Sequence, residues 1–500
     1  KPFWLKFGLG SSVRPSRSLL RAMPRGQRRP ARPCGIPASL ALGAGVLLMH
    51  WGAAAADAPS RETCLLVDTD MDLDDAMALV YSCLVDAEDL RAVTVSGTGW
   101  VRNVSRGAEM VRRLLQFCGG GSRGRPVHVA AGHTRPLSIK SFHFPAAWTG
   151  ESQHFFDSML PPLGVGPGSG RTVLEAGPGA AELKEEAEGG EATPSAAAQL
   201  MVETARACRE EGHRLDILVT SPMTNLAEAL RLAPELLRSA VAGVFFIGGN
   251  VDGAGGNSAD CGGPNNLAEC NALMDVSAVD EVLRSGLKLH VLDAVSVRSL
   301  PVPVELPLRL TERLQHDPSP IQQFLVETLR VFLGTATHQL YFYDPAAAVW
   351  RHLHAVAARH RAADRAPPWE SWIPQGRWAW RGGADFCLLR RSPRLSVVTD
   401  VSPLYGTLVP DRAASTVDLC RLPSSEEFAA SFFRPFIGGE AAAHIRLAAG
   451  QWHVPPFDAG CWHLAALLTA SVSGALIFLL AAKARPRQSS PRILASPLLQ

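Results

Sequence analysis

Asp68, Asp70, Asp72, Asp74 and Asp75 crowd into one short stretch of the chain, directly after the apolar run Cys64–Val67. Carboxylates this close repel one another and raise each other's pKa. A hard cation with oxygen ligands is the simplest relief, and many carboxylates on a flexible loop favour calcium over magnesium. An EF-hand is excluded, because Leu73 and Leu79 stand where its loop needs glycine and glutamate. The strand-D-x-D spacing also fits a phosphatase with Asp68 as the phosphorylated nucleophile. A solvated acidic turn is the third reading.

The surrounding pattern says what must position these groups. Cys64–Val67 reads as a buried strand and DDAMALVYSCL as the helix after it; LRAVTVSG, RPVHVAAG, LDILVTS, VAGVFFIGG and LKLHVLDAV read as further strands. Helical stretches such as RGAEMVRRLLQFCG, SAAAQLMVETARACREEG, TNLAEALRLAPELLRS and MDVSAVDEVLRSG alternate with them. This alternation predicts an α/β fold, a mostly parallel central sheet with helices on both faces, Rossmann-like. Ligands of such sheets sit at the carboxyl ends of the strands, which is where the acidic run falls. RLSVVTDVS, GTLVPD and STVDLCRL read as strands completing the domain, and SSEEFAASFF as a capped helix. Residues 163–194, rich in Gly, Pro and Glu, read as a flexible insertion. SFHFPAAWTGESQHFF and residues 361–380 resist assignment.

The two ends carry targeting grammar. Residues 1–58 form a leader whose basic run from Met23, apolar stretch Ile36–Trp51 and Ala54-Ala55-Ala56 have the order of a signal peptide (about 23–56). The charge-free run Leu464–Ala482 is long enough, at roughly 28 Å as a helix, to cross a bilayer. Lys483, Arg485 and Arg487 follow it, so residues 483–500 read as a cytoplasmic tail and 441–463 as a stalk. The main domain, residues 60–440, is then lumenal or extracellular in a single-pass type I arrangement, in the secretory pathway or at the cell surface. Asn103 in Asn-Val-Ser is a glycosylation acceptor facing that compartment.

Composition narrows the class. With 49 basic and 47 acidic side chains the net charge is +2, which offers no electrostatic case for nucleic-acid binding. A 47% hydrophobic content is that of a folded chain. The 10 cysteines are dispersed with no CxxC pair, so they form neither a zinc ribbon nor the framework of a small disulfide scaffold. An oxidising compartment permits disulfides among Cys64, Cys83, Cys118, Cys208, Cys261, Cys270, Cys387 and Cys420, whose pairing is not legible.

LLVDTDMDLDDAMAL resembles the N-terminal fingerprint of the nucleoside hydrolases (inosine-uridine preferring type), D-x-D-P-G-x-D-D-A-x-A. ILVTSPMTNLAEAL, VFFIGGNVDG, NNLAECNALMDVSAVDEVLRSG and YDPAAAVW resemble further family segments in the same chain order, over about Cys64–Phe433. The resemblance implies Asp70, Asp75, Asp344 and the main-chain carbonyl of Thr220 as calcium ligands, with Asp70 also the general base. It implies Asp74 on the ribose hydroxyls, and Glu269 and Asn271, with Asn265 or Asn266, on the 5′ side of the sugar. Trp100, where the family often has an asparagine, is a candidate to stack on a base, packing being the alternative. The implied reaction is calcium-dependent cleavage of the N-glycosidic bond of a ribonucleoside to free base and ribose, in nucleoside salvage, by a protein that family habit makes a homo-oligomer. Oxygen anions beneath the sugar suit the oxocarbenium-like transition state of that cleavage.

The chain departs from the family pattern in SGTGWVRN, which lacks the early asparagine, in SFHFPAAWTGESQHFF, which replaces a His-Gly-rich loop, and at two further places. Met71-Asp72 replaces the Pro-Gly of the fingerprint, and Tyr343 stands where many members have a histidine that protonates the leaving base. Tyr343, Tyr341 and His338 are the candidates for that acid. The alternatives are an ectodomain that binds calcium and ribose without cleavage, and the phosphatase.

Overall fold

The computed structural model describes residues 63–119, 125–162, 194–251, 255–314, 317–335, 339–362, 386–442, 445 and 447. The signal-like leader, the insertion up to residue 193, His338, residues 363–380 of the unassigned stretch, and the apolar run Leu464–Ala482 with its basic tail lie outside them. Among the described residues no helix is long and apolar enough to cross a membrane.

The strands in chain order are β1 (Thr63–Thr69), β2 (Leu90–Val95), β3 (His128–Ala131), β4 (Arg214–Val219), β5 (Val241–Ile247), β6 (Leu289–Leu292), β7 (Cys387–Arg391), β8 (Leu395–Val397), β9 (Leu408–Pro410) and β10 (Asp418–Pro423). Eight of them form one sheet in the order β3-β2-β1-β4-β5-β6-β10-β7, parallel except where β7 runs against β10. Side chains alternate along each strand, so β1 sends Leu65 and Val67 into one core and Cys64 and Leu66 into the other. Helices cover both faces, which is why these strands are apolar throughout. The chain winds outward from β1 through β2 to β3, then crosses back to β4 on β1's other side. The crevice at the carboxyl ends of β1 and β4 is therefore the switch point of a doubly wound sheet.

Three sequence expectations change. TNLAEALRLAPELLRS is two helices, Thr224–Leu232 and Pro234–Ala240. Pro234 pushes Ala233 out of the helical region, to φ −147° and ψ 62°. RLSVVTDVS and GTLVPD supply β8 and β9, which pair with each other as a separate antiparallel ribbon, and only β10 enters the main sheet. The unassigned SFHFPAAWTGESQHFF contains the helix Ala146–Met159, whose start has no side-chain cap and so no readable signal. The helix Ser425–Ile437 is capped by Ser424 as expected, its Oγ accepting from the Glu427 N–H at 3.2 Å.

The helix Tyr343–Ala362 packs beside the helix Leu73–Val85 and is held by a buried charge knot near the amino ends of β1 and β4. Arg351, fully buried, meets Asp86 at 3.2 Å, Asp216 at 3.1 Å and Asp89 at 3.4 Å. Three carboxylates around it keep the guanidinium protonated, and Asp86, facing Arg351 and His352, sits well below the usual carboxylate range. Two turns nearer its start, the same helix carries Asp344.

Candidate active site

A cleft of about 880 Å³, counting the part open to solvent, lies at the carboxyl ends of β1, β2, β4 and β5. Its lining includes seven carboxylates (Asp70, Asp72, Asp74, Asp75, Asp260, Glu269 and Asp344) and no described Lys, Arg or His. The aromatic residues Trp100, Phe144, Trp148, Phe332 and Tyr343 share the lining with them.

The loop after β1 explains the crowding. Asp68, last polar group under the floor, is fully buried and takes no part in the lining. Thr94 Oγ1 and Asn225 Nδ2 donate to its Oδ1 at 2.7 and 2.9 Å, and Ser221 Oγ donates to Oδ2 at 3.0 Å. Both oxygens are committed to the scaffold, which removes Asp68 as a phosphatase nucleophile. Met71 then turns the chain at φ +58°, a left-handed value rare for a residue with a Cβ. Proline cannot reach that φ, so this loop does not follow the backbone path that Pro-Gly would take. Asp72 has a structural duty: it is the N-cap of the helix Leu73–Val85, its own N–H returned to Asp75 Oδ2 at 3.0 Å in a capping box.

Asp75 stands at the centre. Thr220 Oγ1 donates to its Oδ1 at 2.6 Å and Thr69 Oγ1 at 2.5 Å, while its carboxyl is in hydrogen-bond contact with those of Asp70 and Asp344. Oxygens of Asp74, Asp75 and Asp344 all lie within 4.8 Å of one another. The Asp344 backbone N–H donates to the Asp74 carboxylate, so the starts of two helices meet here. Burial, then mutual repulsion, pushes Asp70 and Asp344 well above the usual carboxylate range and Asp74 up to about 7. An all-oxygen, strongly anionic donor set fits a hard divalent cation.

Asp70 is aimed from two sides. The Trp100 backbone N–H donates to its Oδ2 at 2.7 Å. Gly99 lies so close that a Cβ there would stand 1.8 Å from the same oxygen. Trp100 itself lines the cleft, its ring 4.7 Å from that of Phe144.

The opposite wall departs in detail from expectation. Glu269 is buried and lines the cleft, but it is also the N-cap of the helix Cys270–Met274. Its oxygens accept from the N–H groups of Gly249, Asn271 and Ala272 at 2.7, 2.8 and 3.1 Å. Burial still raises it to about 7. Asn271 reaches back to the Ile247 carbonyl at 3.1 Å and the Thr220 carbonyl at 3.5 Å. Asn265 and Asn266 do not line the cleft. They brace their own loop, Asn265 donating to the Pro403 carbonyl at 3.1 Å and Asn266 Oδ1 accepting from Ala259 at 2.8 Å. Asn257 takes their place in the wall, with Asp260. Neither signals itself in sequence, since both sit in the irregular loop between VFFIGGNVDG and NNLAEC and belong to neither segment. Phe144 and Trp148 were hidden for the same reason in the unassigned stretch.

Tyr343 lines the cleft and burial holds its hydroxyl protonated far beyond neutrality. Tyr341 packs edge-on against it at 6.0 Å and does not line the cleft. Asn103 is exposed beside the cleft residue Trp100 and caps the helix Val104–Phe117, its Oδ1 accepting from Arg106 at 3.0 Å. Disulfides join Cys64 to Cys208, Cys261 to Cys270 and Cys387 to Cys420, while Cys83 and Cys118 carry free thiols.

Comparison with known proteins agrees with this geometry. No curated protein sequence matches the chain. Among solved structures it is similar to an inosine-uridine preferring nucleoside hydrolase from Bacillus anthracis (17% identity, TM-score 0.52), with 75% of this chain and 99% of that one covered. It is similar with the same coverage to an inosine-guanosine nucleoside hydrolase (18% identity, TM-score 0.52). A plant nucleoside hydrolase aligns at 16% identity and TM-score 0.50, again over 75% and 99% of the two chains. At such identities these likenesses speak for the fold. The family model described as inosine-uridine preferring nucleoside hydrolase matches residues 65–419, from β1 to β10, and so spans the whole site. The chain therefore belongs to the inosine-uridine preferring nucleoside hydrolase family, whose enzymes act on N-glycosyl bonds.

Proposed function

We propose that the protein is a calcium-dependent hydrolase of ribonucleosides, releasing free base and ribose. The observation that carries the reading is the arrival of Asp344, from a helix far along the chain, beside Asp74 and Asp75. Asp70, Asp75, Asp344 and the Thr220 carbonyl would hold the ion. Held by these residues, calcium would offer a grip on sugar hydroxyls and would lower the pKa of a nearby water.

The chain's own residues do the rest. Asp70, oriented by the Trp100 N–H, accepts the proton of the attacking water. Asp74 accepts from a sugar hydroxyl, and Asn271 and Glu269 shape the 5′ side of the pocket. The surrounding carboxylates favour the positive charge that develops on the sugar as the bond to the base breaks. Trp100 offers a flat face to the base. Tyr343 retains its proton and donates a hydrogen bond to the departing base, which leaves with the bonding electron pair and takes its proton from solvent water.

The binding-only alternative is favoured by one observation, the neutral Tyr343 hydroxyl where a titrating group would give a stronger acid. The phosphatase reading fails on Asp68. A panel of nucleosides offered to the purified protein, with calcium and with chelator, decides the matter. Base release that stops with chelator and in Asp70→Asn supports hydrolysis, and calcium-dependent binding without release supports the alternative.

For location, we propose a membrane-anchored ectodomain in the secretory pathway. The three disulfides support an oxidising compartment. The run Leu464–Ala482 with its basic flank supports the anchor, and exposed Asn103, whose Nδ2 the cap leaves unused, supports glycosylation. Protection of the domain from protease in sealed vesicles tests this placement, and digestion without detergent would defeat it.

A further inference from the structure

We infer that the Cys261–Cys270 disulfide is a positioning pair that sets the sugar-side wall of the cleft. The inference rests on the reading that a nucleoside occupies this cleft. Both half-cystines are buried, with Cα atoms 6.0 Å apart. Cys270 lies between Glu269 and Asn271, and all three line the cleft. Cys261 ends the 3-10 turn Ser258–Cys261, which carries the lining residue Asp260. The bond therefore joins two separate pieces of the same wall.

A hydrogen bond repeats the link, as Asn257 Oδ1 accepts from the Cys270 N–H at 2.9 Å. On the outer side the disulfide is the centre of a small apolar cluster with Ala268, Leu273 and Met274, against which Phe142 and Phe144 pack. The His143 N–H donates to the Cys261 carbonyl at 2.9 Å. Phe144 faces the cleft, so the mouth and the wall share one anchor. The loop between the half-cystines begins with Gly262-Gly263, Gly262 at φ +83°, where backbone freedom is greatest. The sulfurs lie against the Ser258 and Asn257 carbonyls and not against Asp70, Asp74, Asp75 or Asp344. The wall meets that side through Asn271 at the Thr220 carbonyl and through Phe144 against Trp100. Loss of the disulfide loosens the part that grips the substrate and spares the part that does chemistry.

The test compares the full chain with the double variant Cys261→Ala/Cys270→Ala and with a control, Cys64→Ala/Cys208→Ala, whose disulfide leaves from β1 outside the cleft lining. Steady-state turnover of inosine and uridine is read together with calorimetric binding of inosine in calcium. The expected result is a KM and a Kd raised about tenfold with kcat within about threefold, the pattern of lost uniform binding. The control should lose thermal stability and keep both constants. If the alanine pair does not fold, Cys261→Val/Cys270→Val fills the volume without the tie and gives the same readouts. A folded variant with unchanged KM and Kd overturns the inference, as does an equal rise in the control. Wild-type protein that binds inosine without cleaving it defeats the hydrolase reading and leaves the Kd comparison decisive. Wild-type protein that neither binds nor cleaves defeats both.

Discussion

The Trp100 backbone N–H and the Asp70 carboxylate meet at 2.7 Å, a contact between the loops after β1 and β2 that fixes the direction of the proposed general base. Its closeness depends on Gly99, since a methyl group there would overlap Asp70 Oδ2 at 1.8 Å. Gly99→Ala should therefore swing Asp70 away from the water it deprotonates. We expect kcat/KM to fall about 10²-fold, the scale of an ångström-level misplacement, with a melting temperature lowered only slightly. A variant that keeps wild-type turnover would show that Asp70 is not the base.

Asp344 completes a cluster that is costly without a cation. Neutralising one member removes repulsion, so Asp344→Asn should melt higher than wild type in chelator and lower than wild type in excess calcium. Wild type should gain about 2.7 kcal/mol at a calcium concentration 100 times Kd, and the variant, lacking a charged ligand, should gain little. Thermal melts with and without calcium read both signs. A variant that responds to calcium as wild type does would place the ion elsewhere.

The parallel sheet and the acidic floor were legible because each has a local signature. Strands buried on both faces read as apolar runs, and the acidic run from Asp68 to Asp75 starts at the end of β1 and continues into the loop and helix after it. The later segments that resemble the family then pointed to Thr220, Glu269, Asn271 and Asp344, all of which line the cleft. What sequence did not reveal depends on contacts with no local trace. Asn257 enters the wall, while Asn265 and Asn266 turn away to brace a glycine-rich loop, and nothing in their spacing distinguishes the three. The roles of Asp68 and Asp72 were equally hidden, since one is silenced by hydrogen bonds from β2, Ser221 and Asn225 and the other by its own helix. Cysteine pairing was illegible because Cys64 and Cys208 are separated by 144 positions.

Glu269 gives a pH dependence with a defined sign. Burial raises it from 4.5 to about 7. The folded protein thus holds a proton that the unfolded chain has released, in the window between those values. Its contribution to stability is full below about pH 4.5, declines as pH rises to about 7 and is flat above. Glu269→Gln cannot titrate, so the difference in urea midpoint between wild type and variant, measured in chelator, should change across that window and stay constant above it. Asp68 and Asp74 titrate in both proteins and cancel in the difference. A difference independent of pH would mean that Glu269 stays ionised, held by its three backbone donors.

Arg351 tests how firmly the helix bearing Asp344 must be held. Its guanidinium is surrounded by Asp86, Asp89 and Asp216, and among the described residues Arg351 is the one Lys or Arg ion-paired with buried Asp216. Arg351→Met keeps much of the apolar stem but leaves that negative charge uncompensated. Breaking a buried pair in this way costs roughly 3–5 kcal/mol, which chemical denaturation would register directly. The helix should then fray toward its start, so calcium affinity should fall as well, although Arg351 is about two turns from the ligand cluster. Adding Asp216→Asn to the variant should restore part of both losses, because the carboxylate facing the missing arginine is then neutral. Equal loss in the single and double variants would show that the knot acts through packing alone.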